Sequence, residues 1–129
     1  MNKKKWLKRA WDLQREIEFC EQIIEDPSIY SSPDFGEKVT QSKGNQEEDK
    51  INHKLSEINR AKKERVIAIV ELEKRKTAIN NIQDIKCRKV LYLRYIEHYS
   101  WESICLAMNY SRSRCNAFHN KGIELLKII

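Results

Sequence analysis

The chain has 129 residues and a formal net charge of +6 at pH 7, and 34% of its residues are charged, with only three glycines and two prolines. This composition argues against a β-rich chain, and no apolar run approaches membrane-spanning length. It favours a mostly helical chain, and its basic excess favours an anionic partner such as nucleic acid. The four cysteines have no Cys-x-x-Cys spacing and no histidine at ligand spacing, so we expect no metal site.

The first predicted helix covers residues 2–25. Its apolar residues alternate steps of four and three, which is the spacing of a coiled-coil seam: Trp6, Ala10, Leu13, Ile17, Cys20 and Ile24. The pair Asp26–Pro27 ends this helix because the residue before a proline disfavours helical backbone angles. Residues 26–46 collect serine, glycine and proline, and they predict a mobile linker.

The second predicted helix is long and covers Glu47 to Asn80. Ile51, Leu55, Ile58, Ile69, Leu72 and Ile79 share one track, but Lys62, Arg65 and Lys76 interrupt it. Residues 66–70 form an apolar belt around the helix, which predicts burial on several sides. We therefore expect residues 1–81 to form a helical hairpin or coiled-coil arm that supports a homodimer, with Leu13, Ile17, Ile69 and Leu72 as oligomerisation residues. A solvated, partly frayed arm is the alternative.

A third helix is predicted from Ile82 to about Glu97, with Ile82, Ile85, Val90, Leu91, Leu93 and Tyr95 on its core face. The residues around Ser100 interrupt it, and Ser100 is a suitable N-cap for a short helix whose apolar residues include Trp101 and Met108. Asn109 follows, a residue that tolerates the left-handed conformation. Residues 82–129 are thus predicted to form a trihelical unit, and they carry eight Lys and Arg against four Asp and Glu, a net +4.

The last predicted helix begins at Arg112, behind Ser111 as its N-cap. A short helix, a tight turn and a helix with a basic and amide-bearing outer face are typical of helix-turn-helix proteins, which address the major groove of double-stranded DNA. The residues predicted to contact DNA are Ser111, Arg112, Ser113, Arg114, Asn116, Asn120 and Lys121. Arg112 suits guanine and Asn116 suits adenine, whereas Arg114, Lys121 and the amides around Ser111 suit phosphates. His119 is expected to be exposed or to contact the DNA.

The segment from Tyr92 to Leu126 resembles the fourth conserved region of bacterial sigma-70-type factors. The residues that carry the resemblance are Leu91, Arg94, Tyr95, Trp101, Ile104, Ser111, Arg112, Arg114, Cys115, Lys121, Ile123 and Leu126. The combination of Leu-Arg-Tyr-Ile at 93–96, Trp-Glu-x-Ile at 101–104 and Tyr-Ser at 110–111 is closer still to phage and prophage regulators of the ArpU and RinA type. The resemblance implies an all-α protein with a long N-terminal arm and a C-terminal sigma-like helix-turn-helix domain. It implies a transcriptional regulator in the cytoplasm of a bacterial host, nucleoid-associated when bound, with RNA polymerase as a possible partner.

The sequence departs from the sigma pattern at three positions of the last helix, one of which is Gly122 in place of the usual alanine. Ser113 and Ala117 stand where an acidic residue and a glutamine are usual, so the promoter element of sigma factors is not carried over. Two alternatives remain open: a module that binds RNA polymerase or another host protein with little DNA binding of its own, and a DNA-packaging adaptor similar to small terminase subunits. No nucleophile or phosphate-loop signature is present, so we expect neither an enzyme nor a cofactor.

Overall fold

The computed structural model describes residues 2–26 and 46–128, and these residues form five α-helices without a β-strand among them. The helices are α1 (Lys3–Glu25), α2 (Gln46–Asn80), α3 (Ile85–Tyr95), α4 (Trp101–Met108) and α5 (Arg112–Leu125). The predicted all-α fold is confirmed. The predicted linker, about 26–46, lies almost entirely outside the described residues. None of the described helices is both long enough and apolar enough to cross a membrane.

The chain divides into two compact units, Met1–Gln14 with Val70–Ile129, and Arg15–Ile69. This division differs from the predicted boundary between residues 81 and 82, because the start of α1 and the last turns of α2 belong with α3–α5. Two tryptophans of α1 explain the difference. The Trp6 ring lies 4.5 Å from the Arg75 guanidinium of α2, and the Trp11 ring stacks on Tyr95 of α3 with centroids 5.5 Å apart.

Short polar side chains define the start of each helix in the C-terminal part of the chain. The Asp84 carboxylate accepts hydrogen bonds from the backbone amides of Lys86 and Cys87 at 3.0 and 3.2 Å. Ser100 caps α4 by accepting from the Ser103 amide at 3.1 Å, and Ser111 caps α5 by accepting from the Arg114 amide at 3.2 Å. These bonds satisfy amides that a helix leaves unpaired at its first turn.

The core of the first unit joins α3, α4 and α5 around Val90, Ile104 and Cys115, which are fully buried. Gly122 lets α3 and α5 approach closely, because a Cβ at this position would lie 3.0 Å from Leu91 Cδ1. The prediction that Ile85 faces the core is wrong, since its side chain is 58% exposed. The buried positions of α3 lie about 80–160° around the helix from Ile85, at about 100° per residue.

The second unit has a smaller core. Cys20 and Ile23 of α1 pack with Ala61 of α2, and Ile24 lies against this cluster. The apolar belt of α2 is not buried on several sides within one chain, as the sequence predicted. Ala68 alone is buried in it, whereas Val66, Ile67, Ile69 and Val70 are between 38 and 65% exposed. The helix is apolar around its circumference here, but the described residues of the chain cover only one side of it.

Candidate nucleic-acid interface

The turn between α4 and α5 has the geometry that the sequence predicts for a helix-turn-helix. Asn109 ends α4 in the left-handed conformation, with φ 61° and ψ 42°, and Ser111 opens α5 two residues later with extended backbone angles. Asparagine tolerates positive φ better than other residues with a side chain. The turn is therefore fixed by the local chemistry of two residues.

The seven predicted DNA contacts lie on the outer side of the α4–α5 unit. All are exposed except Asn116, which is half-buried: Ser111, Arg112, Ser113, Arg114, Asn116, Asn120 and Lys121. A helix turns about 100° per residue, so Ser113, Ala117 and Asn120 lie near the middle of the exposed face of α5. Arg112 and Arg114 lie at the two edges of that face, because they are about 160° apart around the helix axis.

At the edge of the exposed face where Arg112 lies, guanidinium groups and tryptophan rings alternate. The Arg112 guanidinium lies 5.1 Å from the Trp101 ring centroid, and the Arg94 guanidinium lies at the same distance from that ring. Arg94 is also 5.2 Å from the Trp11 ring, whose Nε1 donates to the Arg94 carbonyl at 3.1 Å. Cation–π contacts of this kind restrict a long side chain without removing its charge. Arg112 is therefore held by α4 while its donors remain exposed.

The Arg114 edge carries a second group of rings and cations. The Arg114 guanidinium lies 4.6 Å from the Tyr110 ring centroid, and the Lys86 ammonium of α3 lies 5.2 Å from it. Phe118 stands beside Tyr110, with centroids 5.4 Å apart. Interaction of Lys86 with the phenol hydroxyl is the largest cause that lowers the pKa of Tyr110. We call these four residues the Lys86–Tyr110 cluster.

Lys121 already has a partner on α3. Its ammonium lies 3.4 Å from the Asp84 carboxylate, and both side chains are substantially exposed. The pKa of Asp84 is lowered, chiefly by the hydrogen bond from the Cys87 amide and also by Lys121. An exposed pair of this kind stabilises the fold little, so Lys121 remains free to exchange the carboxylate for a phosphate.

His119 is not on the outer face, and the prediction that it is exposed or contacts DNA is wrong. It is 5% exposed, and its Nε2 lies 2.7 Å from the Tyr95 hydroxyl, while its Nδ1 lies 3.3 Å from the Asn120 amide oxygen. A neutral ring satisfies both contacts when Nδ1–H donates to Asn120 and Tyr95 donates to Nε2. Burial lowers the pKa of His119 and raises the pKa of Tyr95 to about 12.

A signal in the sequence identifies His119 as a core residue. It follows the buried Cys115 by four positions, and the stripe continues through Gly122 and Leu126, all of which are buried. The spacing i, i+4, i+7 and i+11 marks one face of a helix. The place of His119 on this stripe, and not its residue type, is the signal that predicts its burial.

The predicted oligomerisation residues separate into two groups. Leu13 and Leu72 are 2% and 7% exposed, so the chain itself already buries them. Ile17 is half-buried, and Ile69 is 38% exposed. The seam on α1 therefore serves the fold of the single chain, and of the four only Ile69 offers substantial apolar surface.

All four cysteines are free thiols, and Cys105 is the one that is not fully buried. Burial raises the pKa of Cys20, Cys87 and Cys115. Within the described ranges, no group of three His, Cys, Asp or Glu residues is placed to hold a metal ion. Since a raised pKa disfavours the reactive thiolate, these cysteines act as small apolar side chains.

Comparison with known proteins gives a family without an assigned activity. No curated protein and no solved structure matches the chain. One family model, described as a protein of unknown function, matches residues 29–127, a range that includes α2 and the complete α3–α5 unit. The chain therefore belongs to the DUF1492 family.

Proposed function

We propose that this protein binds double-stranded DNA in a sequence-specific manner through α4 and α5, and that it regulates phage or prophage transcription. One observation carries the proposal: α5 begins with an exposed arginine that a serine cap and a tryptophan ring hold in place. The start of a recognition helix is the part that contacts base edges in helix-turn-helix complexes. The regulatory role rests on the resemblance to sigma-like phage regulators.

The charges around α5 support the proposal. Its first turn contains no acidic residue, and neither Arg112 nor Arg114 pairs with a carboxylate among the described residues. Glu124 is the only acidic residue of the helix, in its last turn. Cations that lack a counterion are free to replace the cations that surround the DNA backbone.

The residues divide by the part of DNA that each suits. Arg112 has the forked donors that pair with guanine, and Asn116 has the amide that pairs with adenine. Ser113 and Asn120 lie at the middle of the exposed face, where they meet base edges. Arg114 and Lys121 contact phosphates, and so do the backbone amides in the first turn of α5, which follows Ser111.

Selection of bound sequences from a random duplex pool, followed by two variants, tests the proposal. Arg112→Ala should weaken binding to the selected site by about 1–3 kcal/mol and relax discrimination at one base pair. Lys121→Ala should weaken binding to all duplexes alike and flatten the salt dependence, because a phosphate contact carries no sequence information. If a folded Arg112→Ala protein keeps both its affinity and its sequence preference, α5 does not read DNA.

We further propose that two copies associate through the exposed apolar residues of the α2 belt, defined by Val66, Ile67, Ile69 and Val70. Four neighbouring aliphatic side chains at 38–65% exposure lose contact with water when a second copy covers them. A dimer would present two α5 helices to two half-sites, which is the usual arrangement of helix-turn-helix proteins.

A second candidate function is the binding of RNA polymerase or another host protein. Leu106 of α4 is 79% exposed. A cleft of about 390 Å³ lies between α3 and α4, with Arg88, Lys89, Tyr92 and Met108 among its lining residues. Exposed apolar surface rimmed by polar residues is typical of protein contact sites. Co-purification with RNA polymerase that Leu106→Lys abolishes, in a protein that shifts no duplex, would favour this candidate.

A further inference from the structure

We propose that the Lys86–Tyr110 cluster is a binding site for a backbone phosphate of the DNA, placed at one edge of α5. The inference rests on the proposed function, and it adds a helix outside the helix-turn-helix to the interface. Lys86 lies on the first turn of α3, a position for which the sequence pattern predicts no DNA contact.

The geometry brings three hydrogen-bonding groups together from three parts of the chain. Lys86 comes from α3, Tyr110 from the turn and Arg114 from α5. Both cations lie within 6 Å of the Tyr110 and Phe118 ring centroids. An ammonium, a guanidinium and a phenol hydroxyl all donate hydrogen bonds, which matches the acceptor oxygens of a phosphate.

The cluster carries two positive charges and no negative one. Within the described part of the chain, neither Lys86 nor Arg114 forms an ion pair. The nearest carboxylate along the chain is Asp84, which accepts from two backbone amides and from Lys121. Two neighbouring cations repel each other, and an anion between them relieves this repulsion. The lowered pKa of Tyr110 agrees with a positive potential at its hydroxyl.

The position of the cluster on α5 fits the backbone rather than the bases. Arg114 lies about 160° around the helix from Arg112, so the two arginines occupy opposite edges of the exposed face. When the middle of that face enters the major groove, an edge residue meets the strand that borders the groove. The packing of Lys86 and Arg114 against two rings also lowers the entropy that each side chain loses when it binds.

Salt-dependent binding of the full chain to labelled duplexes tests this site. The variants are Lys86→Gln, Tyr110→Phe and, as a matched control, Lys8→Gln, which removes an exposed lysine of α1. We expect Lys86→Gln to reduce the slope of log affinity against log salt by about 0.9, the value for one phosphate contact. Its affinity should fall by the same factor on every duplex. Tyr110→Phe should weaken all duplexes while the slope stays unchanged.

Each result decides the question. A slope for Lys86→Gln equal to that of Lys8→Gln, in a protein that still binds its selected site, overturns the phosphate site and leaves the proposed function intact. A loss confined to the selected sequence also overturns it, because a phosphate contact is the same on all sequences. If the unmodified protein binds no duplex at any salt concentration, the proposed function and the phosphate site both fail. Thermal melting by circular dichroism verifies that the variants are folded, which the exposure of Lys86 leads us to expect.

Discussion

The two compact units of the chain differ in how large an apolar core they bury. The unit that contains α3–α5 buries Tyr95, Leu91 and Ile104 to 1% exposure or less. The unit of residues 15–69 buries a small cluster around Ala61 and leaves Ile51, Leu55, Val66 and Ile67 more than half exposed. The first unit therefore buries the larger core, and the second leaves a larger part of its apolar side chains exposed, where another molecule can cover them.

The difference also separates two roles that sequence periodicity does not distinguish. A 4-3 apolar track occurs in both units, yet in α1 the fold of the single chain uses its members Ala10 and Leu13, which are at most 2% exposed. In α2 the same spacing leaves Ile69 exposed. An apolar seam indicates that another surface packs against it. Only the fold shows whether that surface belongs to the same chain or to a second molecule.

The largest expected effect comes from placing a charge in each unit. Leu13→Lys buries an ammonium at a site that is 2% exposed, which should cost several kcal/mol and abolish the cooperative unfolding transition. Ile69→Lys places the same charge on exposed surface, so the protein should remain helical and change from a dimer to a monomer. Circular dichroism and light scattering on both variants measure these outcomes. A monomer mass for the unmodified protein at tens of micromolar would contradict the proposed dimer.

A smaller effect is expected from a cavity in the core of the first unit. Ile104→Ala removes a fully buried side chain that packs with Val90 and Cys115, and it should lower the free energy of unfolding by about 2–5 kcal/mol. Leu106→Ala, on the same helix but 79% exposed, is the control and should change it by less than about 0.5 kcal/mol. Urea unfolding measures both. Equal losses would mean that α4 is packed differently from the structure described above.

Acid should weaken the first unit through His119. Burial is the main cause that lowers its pKa below the ordinary 6.5, with further contributions from Lys4 and Arg94, while Asn120 opposes the shift. The unfolded chain therefore binds the proton more readily than the folded one. The neutral ring therefore contributes its full stability above pH 6.5, the ordinary pKa of histidine. This contribution is lost as the pH falls below 6.5 and through the lower pKa of His119 in the folded state.

Urea unfolding across this range, on the unmodified protein and on His119→Gln, measures the contribution. The glutamine keeps an acceptor for Tyr95 but does not titrate, so the variant should show a flatter dependence of stability on pH. His53→Gln, which changes an exposed histidine of α2, is the control and should retain the dependence of the unmodified protein. An unchanged profile for His119→Gln would show that another group senses the acid.

The smallest effect concerns the cap that starts α5. Ser111→Ala removes the acceptor of the Arg114 amide and should lower stability by about 1 kcal/mol. It should also weaken DNA binding, since the first turn of α5 frays and Arg112 lies on that turn. Ser113→Ala changes a neighbouring exposed serine that is not a cap, and stability should stay within about 0.5 kcal/mol of the unmodified value. If the two variants have the same free energy of unfolding, the Ser111 cap does not stabilise α5.

The sequence alone determined the local elements of this protein. The all-α class and the start of α5 behind Ser111 follow from apolar periodicity and from capping, which depend on residues within one or two turns of each other. The same holds for the left-handed Asn109 that ends α4. The end of α2 at Asn80 also agrees with the helix of about Glu47 to Asn80 that the sequence predicts.

Only the tertiary structure decided which faces meet. It joined α1 to the last turns of α2 through Trp6 and to α3 through Trp11, and it buried His119 against Tyr95. It also brought Lys86 beside Tyr110 and Arg114, residues more than twenty positions away in the chain. Periodicity identifies the apolar face of a helix but not its partner, because the partner is set by how several faces fill one core together.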